Sequence, residues 1–109
     1  MANITQREVF IMEYRRFGNT IYLRLDPKEE ILEEIGKVAK KENIRLAQVT
    51  GLGAINDFTA GVYNTVTKEY HSIQFQGAFE IVSLTGTVTR KDGDVYLHLH
   101  IAAGDEEGL

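Results

Sequence analysis

Alternating hydrophobic and polar residues dominate the last third of the chain. Between Glu80 and Asp105, two runs rich in Val, Leu, Ile and Thr flank Asp92-Gly93, a dipeptide that suits the two positive-φ positions of a two-residue hairpin turn. With these two residues as the loop, Thr87 faces His98 and Thr85 faces His100. The pattern therefore predicts a long antiparallel hairpin.

This register separates the hairpin into two different faces. The apolar face, predicted to belong to the core, collects Val82, Leu84, Gly86, Val88, Val95, Leu97, Leu99 and Ile101. The other face is a polar band of Ser83, Thr85, Thr87, Thr89, Tyr96, His98, His100 and Ala102. A slip of one residue would mix the two sets, so the clean separation supports the predicted pairing.

Shorter alternating runs precede this hairpin and predict further strands. They cover residues 8–16, 21–25, 46–50, 57–64 and 69–75. Gly18-Asn19 suits a turn between the first two runs, and residues 65–68 suit a turn between the last two. We therefore expect an α+β fold, a mainly antiparallel twisted β-sheet with one long α-helix packed on it, in a single domain spanning 1–109.

The helix is predicted between the second and third strands. Asp26 is a suitable N-cap, Pro27 suits the first helical position, and Glu29 has capping-box spacing from Asp26. An apolar stripe follows at helical spacing, formed by Ile31, Leu32, Ile35, Val38 and Ala39. The helix is expected to end near Glu42 or Asn43.

Composition limits the functional classes. The 109 residues contain no cysteine, which excludes disulfides and thiolate metal sites and suits a cytoplasmic protein. No stretch is long and apolar enough to span a membrane, and the first residues lack the features of a secretory signal. The net charge of −4 disfavours DNA binding, because basic side chains supply most of the nonspecific affinity for phosphates.

The same residues resemble the plants and prokaryotes conserved (PPC) domain. The resemblance lies in Gly51, Gly53 and Ala54, in Glu80 and Gly86, and in Gly93 followed by His98-Leu99-His100. It implies a homotrimer, and stand-alone members of this size are often labelled "putative DNA-binding protein". In plants the domain follows an AT-hook, whose Arg-Gly-Arg-Pro core is absent from this sequence. The family continues into a Gly-Gly-His segment and a last strand, whereas this sequence stops at Leu109.

His98 and His100 form the sharpest candidate site. Residues i and i+2 of a strand share a face and lie roughly 6.5 to 7 Å apart, which allows two imidazoles to approach one metal ion such as zinc. Asp105 or Glu106 is a candidate third ligand, as is the family's later histidine. The alternative is a structural pair in the polar band or at a subunit contact, and His71 is read as structural.

The cupin family is an alternative match for these residues. Gly93, His98, His100 and Glu106 approximate the first cupin metal motif. The spacing between Gly93 and His98 is one residue short, and the second motif is absent, since Pro27 is the only proline. The PPC resemblance therefore explains more of the chain.

Together with the homotrimer that the resemblance implies, these observations favour an interaction module with weak or no direct DNA binding and no membrane contact. The alternative is a small metal-binding protein or metal-dependent enzyme that uses His98 and His100. A partner-protein adaptor is also compatible. No residues have the pattern of catalytic groups. Arg15, Arg16 and Arg24 form the one tight arginine cluster and suit either solvated strand ends or an anion contact.

Overall fold

The computed structural model describes residues 13–109. Contacts between residues divide the chain into two compact units, Met1–Ile44 and Arg45–Leu109. Within the described part, no helix combines the length and the apolar character needed to cross a membrane. The single domain over 1–109 stays a prediction from chain length.

The first unit contains a short antiparallel hairpin. Strand β1, Glu13–Phe17, pairs with strand β2, Thr20–Arg24. Gly18 has a φ of 60°, a left-handed conformation that glycine adopts without steric cost, and it forms the turn with Asn19. The predicted first hairpin is thus confirmed for these residues. The predicted earlier part of the first strand, residues 8–12, lies outside the described residues.

Helix α1 follows at Ile31–Lys41 and is 11 residues long. The expectation of a long helix was therefore wrong, although its predicted end near Glu42 is confirmed by the C-cap at that residue. The N-cap is Glu30, whose carboxylate accepts hydrogen bonds from the backbone N–H groups of Leu32 and Glu33 at 3.2 and 3.0 Å. These bonds satisfy two donors that every helix start leaves unpaired.

The predicted helix start at Asp26 was wrong for a local reason. Glu29 does reach back to Asp26, as a capping box requires, because its carboxylate accepts from the Asp26 backbone N–H at 2.6 Å. However, Lys28 has a φ of 77°, which is incompatible with a right-handed helix. The two residues therefore close a separate turn ahead of the helix.

The buried side of α1 differs in part from the predicted stripe. Val38 and Ala39 are buried, as expected, whereas Leu32 is 49% exposed. Glu34 is buried instead, and the ammonium of Lys37 donates to its carboxylate at 3.2 Å. The pairing explains how a carboxylate lies among apolar residues on this side.

The second unit is a three-stranded antiparallel meander. Strands β3, Ala47–Asn64, β4, Glu69–Lys91, and β5, Asp94–Gly104, lie in the order β3-β4-β5. The sheet is the main element of the fold, as predicted. The two predicted strands 46–50 and 57–64 form one strand, because β-bulges at Gly51/Gly53 and Ile55/Asp57 absorb the intervening residues.

The β4–β5 pairing has the predicted register. Thr87 lies opposite His98 and Thr85 opposite His100, and the turn residues Asp92 and Gly93 have φ values of 53° and 86°. Both positive values fit the two-residue turn that the sequence predicted.

A bulge between Ile81 and Ser83 changes the faces at the start of this hairpin. Ile81 is buried and Val82 is 72% exposed, so the prediction that Val82 belongs to the core was wrong. The register shift moves the buried position at this end of β4 by one residue, from Val82 to Ile81. Ile81, Leu84 and Val88 are the buried apolar residues of this unit.

Gly86 lies where two backbones approach closely. A Cβ atom at this position would overlap the carbonyl oxygen of His98 and the side chain of Leu99 on the neighbouring strand. Only glycine fits without a shift of β5. Gly86 therefore determines how close the histidine-bearing strand lies to the centre of the sheet.

Candidate functional site

His98 and His100 lie side by side on the exposed face of β5. Their Nε2 atoms are 3.1 Å apart and their ring centroids 5.1 Å apart. In the neutral rings, one Nε2 donates its proton to the lone pair of the other, and the tautomers decide the direction. The predicted convergence of the two imidazoles is thus present.

The histidines border a polar band that crosses all three strands. One row runs Gln48, Thr87 and His98, and the next row runs Thr50, Thr85 and His100. Every residue of these rows is exposed. Because β4 is the central strand, the threonine hydroxyls lie in the middle of the band and the imidazoles at its β5 border.

The predicted third metal ligand is not brought to this pair. Among residues 13–109, no group of three His, Cys, Asp or Glu side chains is placed to hold a metal ion. The Asp105 carboxylate instead accepts the backbone N–H groups of Glu107 and Leu109, both at 2.9 Å. Within the described chain neither Asp105 nor Glu106 thus forms such a group with the two histidines, and a metal site at His98 and His100 stays a prediction.

A two-stranded ribbon extends from the sheet beyond the reach of β5. We call it the β-arm; it comprises 57–64 of β3 paired with 69–76 of β4. β5 ends opposite Glu80, so neither strand of the arm has a third partner among the described residues. At the tip, the Asn64 side chain accepts the backbone N–H groups of Val66 and Thr67, which stabilises the predicted turn.

The β-arm is amphipathic. Its apolar face consists of Phe58, Ala60, Val62, His71, Ile73 and Phe75, and its polar face carries Thr59, Gly61, Ser72 and Gln74 with the tyrosine pair Tyr63 and Tyr70. The sequence predicted that the first three residues and the last three each share a face. The register shows that the two sets lie opposite each other, on one side of the ribbon.

Much of this apolar face is uncovered. Val62 is 74% exposed, Ile73 49% and Phe75 36%. Only the base of the arm has a packed cluster, where the Phe58 ring lies 5.2 Å from the rings of both Phe75 and Phe79. The exposure escaped the sequence analysis, because an alternating pattern gives the face of a residue and not whether that face is covered.

Gly51 and Gly53 of the family motif have structural roles in β3. Gly53 has a φ of 140° at a β3 bulge, and a Cβ at Gly51 would lie 3.1 Å from the Leu84 side chain. β3 continues through this segment, and no helix opens there, as a nucleotide-binding Gly-x-Gly would require. Ala54 pairs with Glu80, which in turn pairs with Gly104.

Two of the three clustered arginines have partners. Arg16 donates to the Glu42 carboxylate at 3.0 Å, and Arg24 lies 3.5 Å from the carboxylates of both Glu13 and Asp26. Tyr14 donates its hydroxyl to Glu42 at 2.9 Å. The contacts of Arg16 and Tyr14 join the hairpin to the helix C-cap at Glu42 within the first unit.

Two pKa values in this cluster are displaced. Hydrogen bonds from Arg16 and then from Tyr14 lower the pKa of Glu42, because they favour its charged form. Burial raises the pKa of the Tyr14 phenol, and the neighbouring Glu42 carboxylate raises it further. The contact therefore favours an ionised Glu42 and a neutral Tyr14 at neutral pH.

Comparison with known proteins decides the family. The model of the Plants and Prokaryotes Conserved (PCC) domain matches residues 12–109. The chain belongs to this family. It is the PPC family of the sequence resemblance, which is confirmed. No curated protein matches this PPC chain significantly.

Several solved structures share the fold of this chain. A "putative DNA binding protein" of Bacteroides thetaiotaomicron has 30% identity and a TM-score of 0.87, over 91% of this chain and 69% of its own. A plant- and prokaryote-conserved (PPC) protein of Pyrococcus horikoshii has 32% identity and a TM-score of 0.76, over 98% and 70%. A metal-containing protein of Archaeoglobus fulgidus has 26% identity and a TM-score of 0.76, over 88% and 68%.

Proposed function

We propose that this PPC protein is a homotrimeric interaction module in which copies of the chain cover one another's β-arms. The observation that carries the proposal is the amphipathic arm, whose apolar face is left open by the described residues. The number of subunits comes from the family resemblance. Direct DNA binding by this chain is weak or absent in this proposal.

The shape of the arm favours coverage by protein. An isolated two-stranded hairpin is marginally stable in water, and apolar side chains such as Val62 and Ile73 gain free energy when they are removed from solvent. One side of the ribbon is apolar and the other polar, so a single face is available for contact.

A second copy of the chain is the favoured occupant. The apolar face has little charge: its titratable residues are His71 and, at the tip end, Glu69. Identical apolar faces can therefore meet without repulsion, and every copy supplies one, as a closed symmetric assembly requires.

The charge distribution supports the proposal that direct DNA binding is weak or absent. The net charge is −4, and the guanidinium groups of Arg16 and Arg24 lie against carboxylates. Phosphate binding would compete with these ion pairs. A gel shift with nanomolar affinity at physiological salt would contradict this part of the proposal. The expected compartment is the cytosol.

Native mass spectrometry, with and without a chelator, is the first test. One spectrum gives both the subunit number and any bound metal. We expect a trimer that survives chelation. A monomer across the micromolar range would overturn the proposed assembly.

We infer that metal binding at His98 and His100 is the second candidate function, favoured by the contact between the two rings. Their Nε2 separation of 3.1 Å falls within the roughly 2.9 to 3.4 Å between adjacent nitrogen ligands bonded at ~2.0–2.1 Å to one ion. The metal-containing Archaeoglobus fulgidus protein supports the idea. A metal here would polarise a bound ligand, with water as its remaining ligands.

Substitution of both histidines separates the two candidates. Under the metal hypothesis, His98→Ala with His100→Ala abolishes metal uptake, measured by elemental analysis after zinc loading, and keeps the subunit number. His71→Ala is the matched control, since it removes a histidine of the β-arm and should leave zinc uptake unchanged. Equal zinc uptake by the double variant and the wild type would refute the metal site.

A further inference from the structure

One face of the β1–β2 hairpin carries a separate group of charged and aromatic side chains. β1 places Glu13, Arg15 and Phe17 on one side, and the register brings Tyr22 opposite Arg15 and Arg24 opposite Glu13 on the same side. These five residues, with Tyr14, line a cavity of about 190 Å³. Neither the β-arm nor the histidine pair contributes to it.

Two aromatic rings of this face are open to solvent. Phe17 is 65% exposed and Tyr22 is 72% exposed. Tyr22 lies opposite Arg15 and Phe17 lies two residues further along β1, so the two rings are diagonal neighbours on one face. Exposed rings of this kind stack readily on another planar ring.

Arg15 is the arginine of the cluster whose side chain is not paired with a carboxylate of the described residues. Arg16 is held by Glu42, and Arg24 lies between Glu13 and Asp26. Arg15 is exposed, and within residues 13–109 its side chain forms no hydrogen bond or ion pair. Its planar set of N–H donors matches the oxygens of a phosphate or carboxylate.

We propose that this face binds a planar aromatic ring that carries an anionic group, as in a nucleoside monophosphate. The ring stacks on Tyr22 and Phe17, and the phosphate accepts hydrogen bonds from Arg15. The cavity is smaller than the roughly 300–1,000 Å³ of pockets that enclose a whole ligand, so it covers one face of a ring and leaves the sugar in solvent. The carboxylate of Glu13 limits the site to a single anionic group near Arg15, because a second would be repelled.

The test is an amide NMR titration of the full 109-residue protein with AMP, adenosine and ribose 5-phosphate. We expect AMP to shift signals of the first hairpin, to bind more tightly than either fragment, and to weaken as salt increases. Arg15→Ala should reduce AMP affinity about tenfold and leave adenosine binding unchanged, since the charge-assisted hydrogen bonds involve the phosphate alone. Tyr22→Leu, which keeps an apolar side chain, should weaken both ligands.

Arg45→Ala is the matched control, because it removes one exposed positive charge from outside the hairpin. It should leave AMP affinity unchanged. Equal losses from Arg15→Ala and Arg45→Ala would mean general charge attraction and would overturn the site. AMP-induced shifts confined to other segments, or no shifts at ~10 mM AMP, above the weak end of the affinity scale, would overturn it as well.

Discussion

Ile73 offers the most direct test of assembly through the β-arm. It lies at the middle of the apolar face and is 49% exposed in the chain described. Full burial of such a side chain is worth about 1.5–3 kcal/mol, so coverage of the exposed half contributes about 0.7–1.5 kcal/mol per copy. An Asp at this position removes that contribution and places an unpaired charge in the contact.

The expected effect on assembly is large because the contact is repeated. An uncompensated buried charge costs several kcal/mol, so a conservative total of about 2 kcal/mol per copy gives about 6 kcal/mol for three copies. That difference weakens trimer formation at least ten-thousandfold. We therefore expect Ile73→Asp to be monomeric at micromolar concentrations, measured by light scattering after size-exclusion chromatography and by native mass spectrometry.

Ser72→Asp is the matched control. It adds the same charge one residue away, on the polar face of the same ribbon opposite Gly61, and should keep the subunit number of the wild type. Because Ile73 is half buried in the single chain, Ile73→Asp should lower monomer stability by about 0.7–1.5 kcal/mol. Ser72→Asp, an exposed change, should alter it by no more than about 0.5 kcal/mol, and thermal unfolding by circular dichroism can check both. Equal behaviour of the two variants would refute assembly through the apolar face.

Two further predictions concern stability. Gly86→Ala should lower the free energy of unfolding by about 1–3 kcal/mol in urea titrations, because overpacking strains a close-packed region. Gly36→Ala, where no atom outside the backbone of the same helix lies within 4 Å of the new Cβ, should be neutral or raise it by up to about 1 kcal/mol. Equal effects would contradict the close approach at Gly86. Glu42 has a lowered pKa, so its contribution is present above its unfolded pKa of about 4.5 and is lost as the pH falls through the lower folded value. Glu42→Gln should therefore reduce stability at pH 7 and leave it unchanged at the acid end, and a uniform loss across pH 2–7, the range that brackets both pKa values, would argue against the ion pair.

The parts of the fold that the sequence predicted are those with a local cause. Asp92-Gly93 fixes a two-residue turn, and from that turn the alternation of side chains determines the faces as far as Ser83. The contact between His98 and His100 follows from the same alternation.

The errors have equally specific causes. A bulge adds one residue without a fixed sequence signature, so the exposure of Val82 and the continuity of β3 through Gly53 were not predictable from alternation. The helix start was missed because Lys28 adopts a left-handed conformation, which is uncommon for residues other than glycine and could not be predicted from a lysine. The open face of the β-arm depends on what surrounds it, which no local pattern contains.

The meander topology has a consequence for folding kinetics. Each strand of the second unit pairs with its neighbour in the chain, so both ladders can close outward from their turns without the formation of a long loop. Local contacts of this kind favour fast folding for a β-rich unit. β4 belongs to both ladders, and the β4–β5 turn at Asp92-Gly93 is the tighter of the two. We therefore expect the segment with the histidines to reach its native register early and the β-arm to close independently of it.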